Sequence, residues 1–441
     1  MGKNLNFGVR GWLLLIYQAL AFVTFTVFSN WPMNILGDMY GGAQKLSTIY
    51  TVCTLLGIVV QLIISAFFIR KIKNMKLFSS VLGVICIVLA LGIMVIPPSM
   101  LTFYQIVYGA VVFFTIMWST FSIGILVGQW FPRKKGAFMG IATLAFPITN
   151  GVIGTFANRV FKFGAPDVFG AFLPYFILTV IAVLIGIIFI KSYPEQCGGY
   201  RDNDKSITPE VANAMMEAEI EGKRTSVWKI GRVLTLRDFW LAVIPMGSML
   251  LCAVGFATQT NAILGSAGAE LDKFGGFSGV MLMFCIFGII GSYVLGIVDA
   301  RVGTKKAVLI SVILMVLSGI IGIIPNTFCL VLSVIVLALF QGSSSNFTVS
   351  FTAQYWRRED FQSVFSCVNP IANVIQAMGP MMIAALFFGK GVTAVYTVIL
   401  IFGVLSLICI LLFSAKHVKT VDDRLRKAAG KTLDNELADR K

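Results

Sequence analysis

The sequence predicts an all-α polytopic membrane protein with twelve transmembrane helices, arranged as two six-helix pseudo-repeats. Three observations carry this prediction. The 441-residue chain is 57% hydrophobic and only 12% charged, long runs contain no charged residue, and short patterns recur between the two halves. A soluble globular domain carries about 25% charged residues. A β-barrel would need segments of about ten residues with alternating polarity, and these runs lack that pattern.

Two uncharged runs show how the helices are counted. One lies between Lys76 and Arg133, and the other lies between Lys306 and Arg357. Because a helix needs about 20 apolar residues to cross a hydrocarbon core of about 30 Å, each run predicts a helical hairpin. Applied to the whole chain, this criterion predicts helices near residues 11–36, 46–69, 77–97, 100–130, 136–160, 168–190, 239–264, 274–298, 307–325, 328–355, 361–388 and 391–414.

One long polar segment divides these helices into two sets of six. The predicted units are an N-terminal half over residues 1–190, a linker over 191–238, a C-terminal half over 239–414 and a tail over 415–441. Within the linker, Thr208-Pro209-Glu210 predicts the start of a short amphipathic surface helix. Proline suits the first helical turn, and an acidic side chain suits the positive end of the helix dipole.

The two halves repeat one another in sequence. Pro147-Ile148-Thr149-Asn150 recurs as Pro370-Ile371-Ala372-Asn373, and Trp130-Phe131 before a basic cluster recurs as Tyr355-Trp356. The two matches come in the same order at nearly the same offset, which predicts a parallel repeat. Asn150 and Asn373 should therefore occupy equivalent places.

The basic residues predict the topology. All but five of the 35 Lys and Arg fall on the side of the membrane that holds both termini. The exceptions are Lys45, Arg159, Lys162, Lys273 and Lys390. By the positive-inside rule, both termini are cytoplasmic and the chain is a multi-pass protein of the plasma (inner) membrane. The net charge of +15 is then topological, so the expected partners are the lipid bilayer and a small-molecule substrate. Nucleic acid is not expected, and the predicted state is a monomer.

The predicted membrane interior lacks the charged and histidine side chains that acid–base catalysis requires. No charged residue lies near a helix midpoint, and the sole histidine, His417, follows the last helix. The eight cysteines have no metal-site or disulfide spacing. We therefore expect no catalytic residue, no metal and no cofactor, and no proton relay through a buried carboxylate or histidine.

A loop motif in the second half carries a family resemblance. The segment from Gly296 to Lys306 keeps an acid, a turn glycine and a basic pair, in the order Gly-x-x-Asp-x-Arg-x-Gly-x-Lys-Lys. With its twelve helices, the chain resembles the major facilitator superfamily of secondary transporters. The resemblance implies alternating access and a gating role for Asp299, Arg301 and Lys305, with Arg133 in the first half; a solvated turn is the alternative for this loop.

Two further segments suggest a branch of that superfamily. Trp130 to Gly136 and Tyr193 to Asp202 are similar to segments after helices four and six in the oxalate/formate antiporter-like branch. This similarity implies a small organic anion, mostly a carboxylate, moved by exchange or symport. That branch's oxalate carriers use basic side chains in helices eight and eleven, and this chain has none there, so oxalate itself is unsupported.

The candidate substrate-binding residues are the neutral polar side chains inside the helices, because each buried amide or hydroxyl needs a partner in protein, water or ligand. Trp118 lies deep in the fourth helix and offers an aromatic face. The full set is Trp118, Ser122, Asn150, Gln341, Ser345, Asn346, Asn369, Asn373, Gln376, Gln18, Asn30, Trp31, Gln259, Asn261 and Arg159. Packing between helices, or exposure at the outer interface for those near helix ends, is the open alternative.

The sequence thus predicts a secondary carrier for a small organic solute, most simply an organic anion. An efflux carrier for amphipathic compounds is one alternative, since an aromatic, neutral cavity would suit a loosely specified ligand. A membrane sensor without transport is an alternative of another class.

Overall fold

The computed structural model describes residues 6–68, 74–131, 135–160, 167–214, 217, 226–357 and 360–431. These residues form helices joined by short connections and contain no β-strand. Eleven of their helices are long and apolar enough to cross a membrane, and the shorter apolar segment Phe138–Gly154 accounts for the twelfth predicted crossing. The fold prediction of an all-α polytopic membrane protein is confirmed.

The spans lie close to their predicted positions. The first six are Gly8–Ile35, Ala43–Ile63, Met75–Val95, Pro98–Trp130, the pair Lys135–Ala142 and Ala145–Val160, and Val168–Ile188. The last six are Arg237–Thr258, Gly276–Val302, Thr304–Ile323, the pair Thr327–Ser344 and Phe347–Tyr355, Ser363–Lys390 and Val392–Leu412. Linker residues 209–214 are helical at the predicted surface helix, whose later residues fall largely outside the described ranges.

The fifth span is not the continuous helix that the sequence suggested. It is interrupted at Thr143 and Leu144, just before Pro147. Proline has no backbone N–H and its ring crowds the carbonyl four residues earlier, here that of Thr143, so the helix breaks at that point. The same effect ends Phe361–Ala377 before Pro380 in the eleventh span.

Wide helical turns occur in the first and fourth spans. Residues Thr26–Asn30 and Met117–Ser122 form π-helical segments within otherwise α-helical spans. A π-turn inserts one extra residue per turn and rotates the side chains that follow. Sequence periodicity alone therefore misplaces the faces of these two spans beyond the turn.

The two halves pack through two pairs of spans. The fifth span packs on the eighth, where Gly151 faces Cys285 so closely that any Cβ would clash. The second span packs on the eleventh, where the Thr51 hydroxyl donates to the Ala377 carbonyl at 2.8 Å. We call the side of the bundle that holds residues 189–237 the linker side, and the opposite side the far side.

The tail begins with a helix that the sequence did not reveal. Ala415–Ala428, the tail helix, packs below the C-terminal half with Val418 buried. Its buried Asp422 accepts from the Arg357 Nε at 2.7 Å and from the Trp228 Nε1 at 2.9 Å. The tail helix thus binds both the linker and the loop between the tenth and eleventh spans.

Candidate functional site

The far side of the interface between the halves is closed by hydrogen bonds. The Asn34 side chain donates to the Ala257 carbonyl at 2.9 Å and accepts from the Asn261 backbone N–H at 3.1 Å. The Gln259 amide donates to the Ser47 hydroxyl at 2.8 Å. From Thr24 to Asn34 every residue of the first span is buried, so no passage from the far side reaches the centre along this span.

The linker side of the same interface is open. Thr120 and Ser345 are exposed although each lies well inside its span. Trp118 packs on the third span at Gly83, and Thr120, two residues later, lies on roughly the opposite face of the helix, toward the centre. Among the described contacts, one hydrogen bond joins the halves on this side, from the Asn346 amide to the Thr143 hydroxyl at 3.3 Å.

Ser345 and Gln341 lie on one side of the tenth span. Gly342 packs on Ser292 of the eighth span, and the Thr348 hydroxyl donates to the Asn369 side chain of the eleventh at 3.4 Å. At 100° per residue, Gln341 and Ser345 lie on the same side of the Gly342 contact with Ser292. Ser345, which follows the end of Thr327–Ser344, is exposed on this side, and Gln341 is buried.

The eleventh span contributes a polar stripe to this gap. Ser366, Asn369, Asn373 and Gln376 are spaced by three or four residues and so share one helix face. Ser366 is exposed, and the three amide side chains are half-buried. A stripe of amides in a span is stable where it meets water or a ligand instead of lipid.

Two buried amides have no hydrogen-bond partner among the residues that the structure describes. Gln341, halfway along the tenth span, is 4% exposed and neither its Nε2 nor its Oε1 has a hydrogen-bond partner. Asn30, in the π-turn of the first span, is fully buried with both amide atoms unpaired. An unpaired buried polar group costs about 1–3 kcal/mol, so both amides call for water or a ligand.

Three predicted residues lie elsewhere than expected. Trp118 is fully buried within the N-terminal half, where its Nε1 donates to the Tyr17 hydroxyl at 2.9 Å. Ser122 bonds to Ser79 in the same cluster. The Gln18 amide donates to a backbone carbonyl of the fourth span at 2.6 Å. Trp118 and Ser122 lie in the π-turn at 117–122 and face the third span, and all three side chains join spans of the N-terminal half.

The predicted residues near the far side take part in its closure. The Trp31 Nε1 donates to the Asn150 Oδ1 at 3.0 Å, and both residues are buried. Gln259 and Asn261 bond to the N-terminal half, so neither is exposed at an outer interface. Asn150 and Asn373 occupy matching repeat positions, but Asn150 is covered by Trp31 while Asn373 is half-buried beside the gap.

The predicted gating residues stay within the C-terminal half. Asp299 accepts from the Thr304 hydroxyl at the start of the ninth span. The Lys305 ammonium donates to the Phe413 carbonyl at 2.8 Å, at the end of the twelfth span. Arg301 is exposed. Arg133 and the side chain of Arg159 lie outside the described residues.

Two residues of the gap were missed by sequence reasoning. Thr143 is a single hydroxyl between apolar residues, and Thr120 lies between Ser119 and Phe121, close to Ser122. Helix packing also produces both patterns. The position of the two threonines at the interface can be recognised only from the structure. The contact of Trp118 with the third span shows which face of the fourth span Thr120 occupies, and the break before Pro147 places Thr143.

The sequence model of the Major Facilitator Superfamily matches residues 249–437. This match supports a membrane transporter of that superfamily. The matched region covers most of the C-terminal half, including the tenth and eleventh spans, and runs through the tail helix. No curated protein matches the chain. Together with the long apolar helices, this match supports an all-α, multi-pass membrane protein.

Proposed function

We propose that this protein is a secondary transporter that moves one small organic solute by alternating access of a site between its halves. One observation carries the proposal: the interface is hydrogen-bonded shut on the far side and exposes a polar face on the linker side. A carrier that rocks its two halves about a central site needs this asymmetry in each of its end states.

The proposed site consists of the neutral polar side chains that face the gap. They are Thr120, Thr143, Gln341, Ser345, Asn346, Asn369, Asn373 and Gln376. Amide and hydroxyl groups can bind a carboxylate through charge-assisted hydrogen bonds without a buried cation. Together with the resemblance to the oxalate/formate antiporter-like branch, this favours a small organic anion, moved by exchange or symport.

The proposed orientation places the linker side in the cytoplasm of a cell whose plasma membrane holds the protein. The basic residues support it, because the sequence predicts all but five of the 35 Lys and Arg on the linker side. In this orientation the described state is open to the cytoplasm, and the solute leaves or enters there.

Transport into proteoliposomes tests the proposal. Purified protein is reconstituted with or without an internal carboxylate, and uptake of the labelled carboxylate is followed. We expect saturable uptake that the preloaded counter-substrate accelerates. Saturable binding to the protein without any uptake would instead indicate a sensor, and uptake of amphipathic cations in place of carboxylates would indicate an efflux carrier.

A further inference from the structure

A groove on the outer surface of the N-terminal half lies apart from the central gap. It runs between the third and sixth spans at the linker side and has a volume of about 540 Å³. Its walls are apolar, formed by Leu77, Val81, Val84 and Ile187, while Asn74 and Lys76 stand at its linker-side end.

The groove ends at two neighbouring lysines. The backbone N–H of Lys76 donates to the Ser192 hydroxyl at 3.1 Å, which brings Lys191 beside it. The carbonyl of Lys191 is held in turn by the Trp130 Nε1 at 2.9 Å. No carboxylate of the described residues pairs with either lysine, so their mutual repulsion favours an anion between them.

The apolar part of the groove lies on the outer surface of the third span, which is long and apolar enough to cross a membrane. Leu77 and Val81 are 59% and 50% exposed on the third span, which leaves them in contact with acyl chains. Lysines at the end of a span extend toward the headgroup layer. Two lysines thus lie at one end of an open apolar groove. This arrangement suits a molecule with an anionic headgroup and a hydrocarbon chain.

We propose that this groove binds one anionic phospholipid of the linker-side leaflet. Its phosphate lies between Lys76 and Lys191, and one acyl chain lies along Leu77, Val81 and Val84. The inference concerns the lipid-facing surface and is independent of the proposed transport function.

Native mass spectrometry of the full chain tests this site. The protein is purified in mild detergent and titrated with dioleoylphosphatidylglycerol or, separately, dioleoylphosphatidylcholine. We expect the wild type to retain one phosphatidylglycerol in preference to phosphatidylcholine. The double variant Lys76→Gln/Lys191→Gln should bind phosphatidylglycerol about tenfold more weakly, because each lysine contributes to attraction of an anionic headgroup. The matched control, Lys416→Gln/Lys427→Gln, removes two exposed lysines of the tail helix and should retain the lipid.

A second variant tests the acyl chain. Val84→Trp fills the groove without changing charge and should also weaken phosphatidylglycerol retention, while size-exclusion chromatography confirms that each variant is folded. Equal retention by the double lysine variant and the wild type would overturn the proposal. So would equal retention of the two lipids by the wild type, or displacement of phosphatidylglycerol by millimolar inorganic phosphate, which would indicate a site for a free anion.

Discussion

At the scale of single residues, the side chains of the proposed site offer hydrogen bonds and no charge to a solute. Asn373 on the eleventh span and Asn346 on the tenth each offer one amide to this space. A hydrogen bond to a charged ligand is worth about 1–3 kcal/mol. Asn373→Leu and Asn346→Leu should therefore each raise the apparent transport constant by about tenfold to a hundredfold, measured by uptake into proteoliposomes.

Val374→Leu is the matched control for Asn373→Leu. Val374 is adjacent in sequence, 41% exposed, and lies about 100° around the helix from Asn373. Its substitution should leave the transport constant unchanged. Wild-type constants in both asparagine variants, with normal membrane insertion, would place the substrate site elsewhere.

Trp118 gives the opposite prediction, because its contacts are internal to the N-terminal half. Trp118→Phe removes the indole donor to Tyr17 and leaves a smaller ring in a fully buried place. We expect a loss of stability of about 1–3 kcal/mol, seen as a lower unfolding temperature in detergent, and an unchanged transport constant. A raised transport constant at normal stability would indicate that Trp118 contacts the substrate.

The difference between Trp118 and Asn373 shows where sequence reasoning stops. Both can form hydrogen bonds and both lie near the middle of a span, so the sequence makes them equally good candidates for substrate binding. Trp118 lies in the π-turn at 117–122 and faces the third span, and no residue in that stretch predicts such a turn. The stripe on the eleventh span could be predicted because its polar residues keep strict helical spacing.

At the scale of elements, the tail helix depends on a buried ion cluster. Asp422 lies between Arg357 and Arg426, at 2.7 and 3.1 Å, and Arg426 also donates to Asp360 at 2.6 Å. Removing one partner of a buried ion pair costs about 3–5 kcal/mol, because the remaining charges stay buried without compensation. Asp422→Asn should therefore release the tail helix, seen as faster amide hydrogen exchange over residues 415–428.

The neighbouring carboxylate provides the control. Asp423 is one-third exposed and lies 3.6 Å from Arg357, so Asp423→Asn should cost less than about 1 kcal/mol and leave the exchange rates unchanged. Equal exchange in both variants would show that the apolar face of the helix is sufficient to hold it. The sequence could not predict this docking, because its partners come from three segments far apart in the chain.

The spans themselves were largely predictable, since length and apolar composition decide which helices cross a bilayer. The interruptions within spans were not predicted, and one of them lies in the fifth span, where Pro147 follows a break at Thr143 and Leu144. The break leaves the Thr143 hydroxyl to accept from Asn346, so the interruption contributes to the contact between the halves.

At the scale of the whole molecule, the charges of the spans lie only in their end turns. Asp238, Asp299 and Lys305 are examples, and His417 follows the last span. Because the spans have no carboxylate, histidine, lysine or arginine in their middle, counterflow exchange should change by less than about twofold between pH 6 and 8, beyond the substrate's own ionisation. A saturable proton-coupled current with a protein group titrating in that range would contradict this prediction.

The far-side closure sets the balance between the two end states. Asn34→Leu removes its two bonds to Ala257 and Asn261, which weakens the linker-open state by about 1–3 kcal/mol and shifts the equilibrium toward the far-open state by about tenfold to a hundredfold. Ser345→Cys, in a chain whose eight native cysteines are replaced by alanine, reports the state through labelling by an impermeant maleimide.

We expect the Ser345→Cys chain to react with reagent applied at the linker side in inverted vesicles, and to react more slowly once Asn34→Leu is added. Thr48→Val is the control, because the Thr48 hydroxyl donates to the carbonyl of Gln44 within its own helix and contributes nothing across the interface. Labelling that Asn34→Leu leaves unchanged would show that the far-side hydrogen bonds do not govern access. In that case, packing of the fifth span on the eighth and of the second on the eleventh would hold the halves in this state, because these contacts lie along the spans and not at one end.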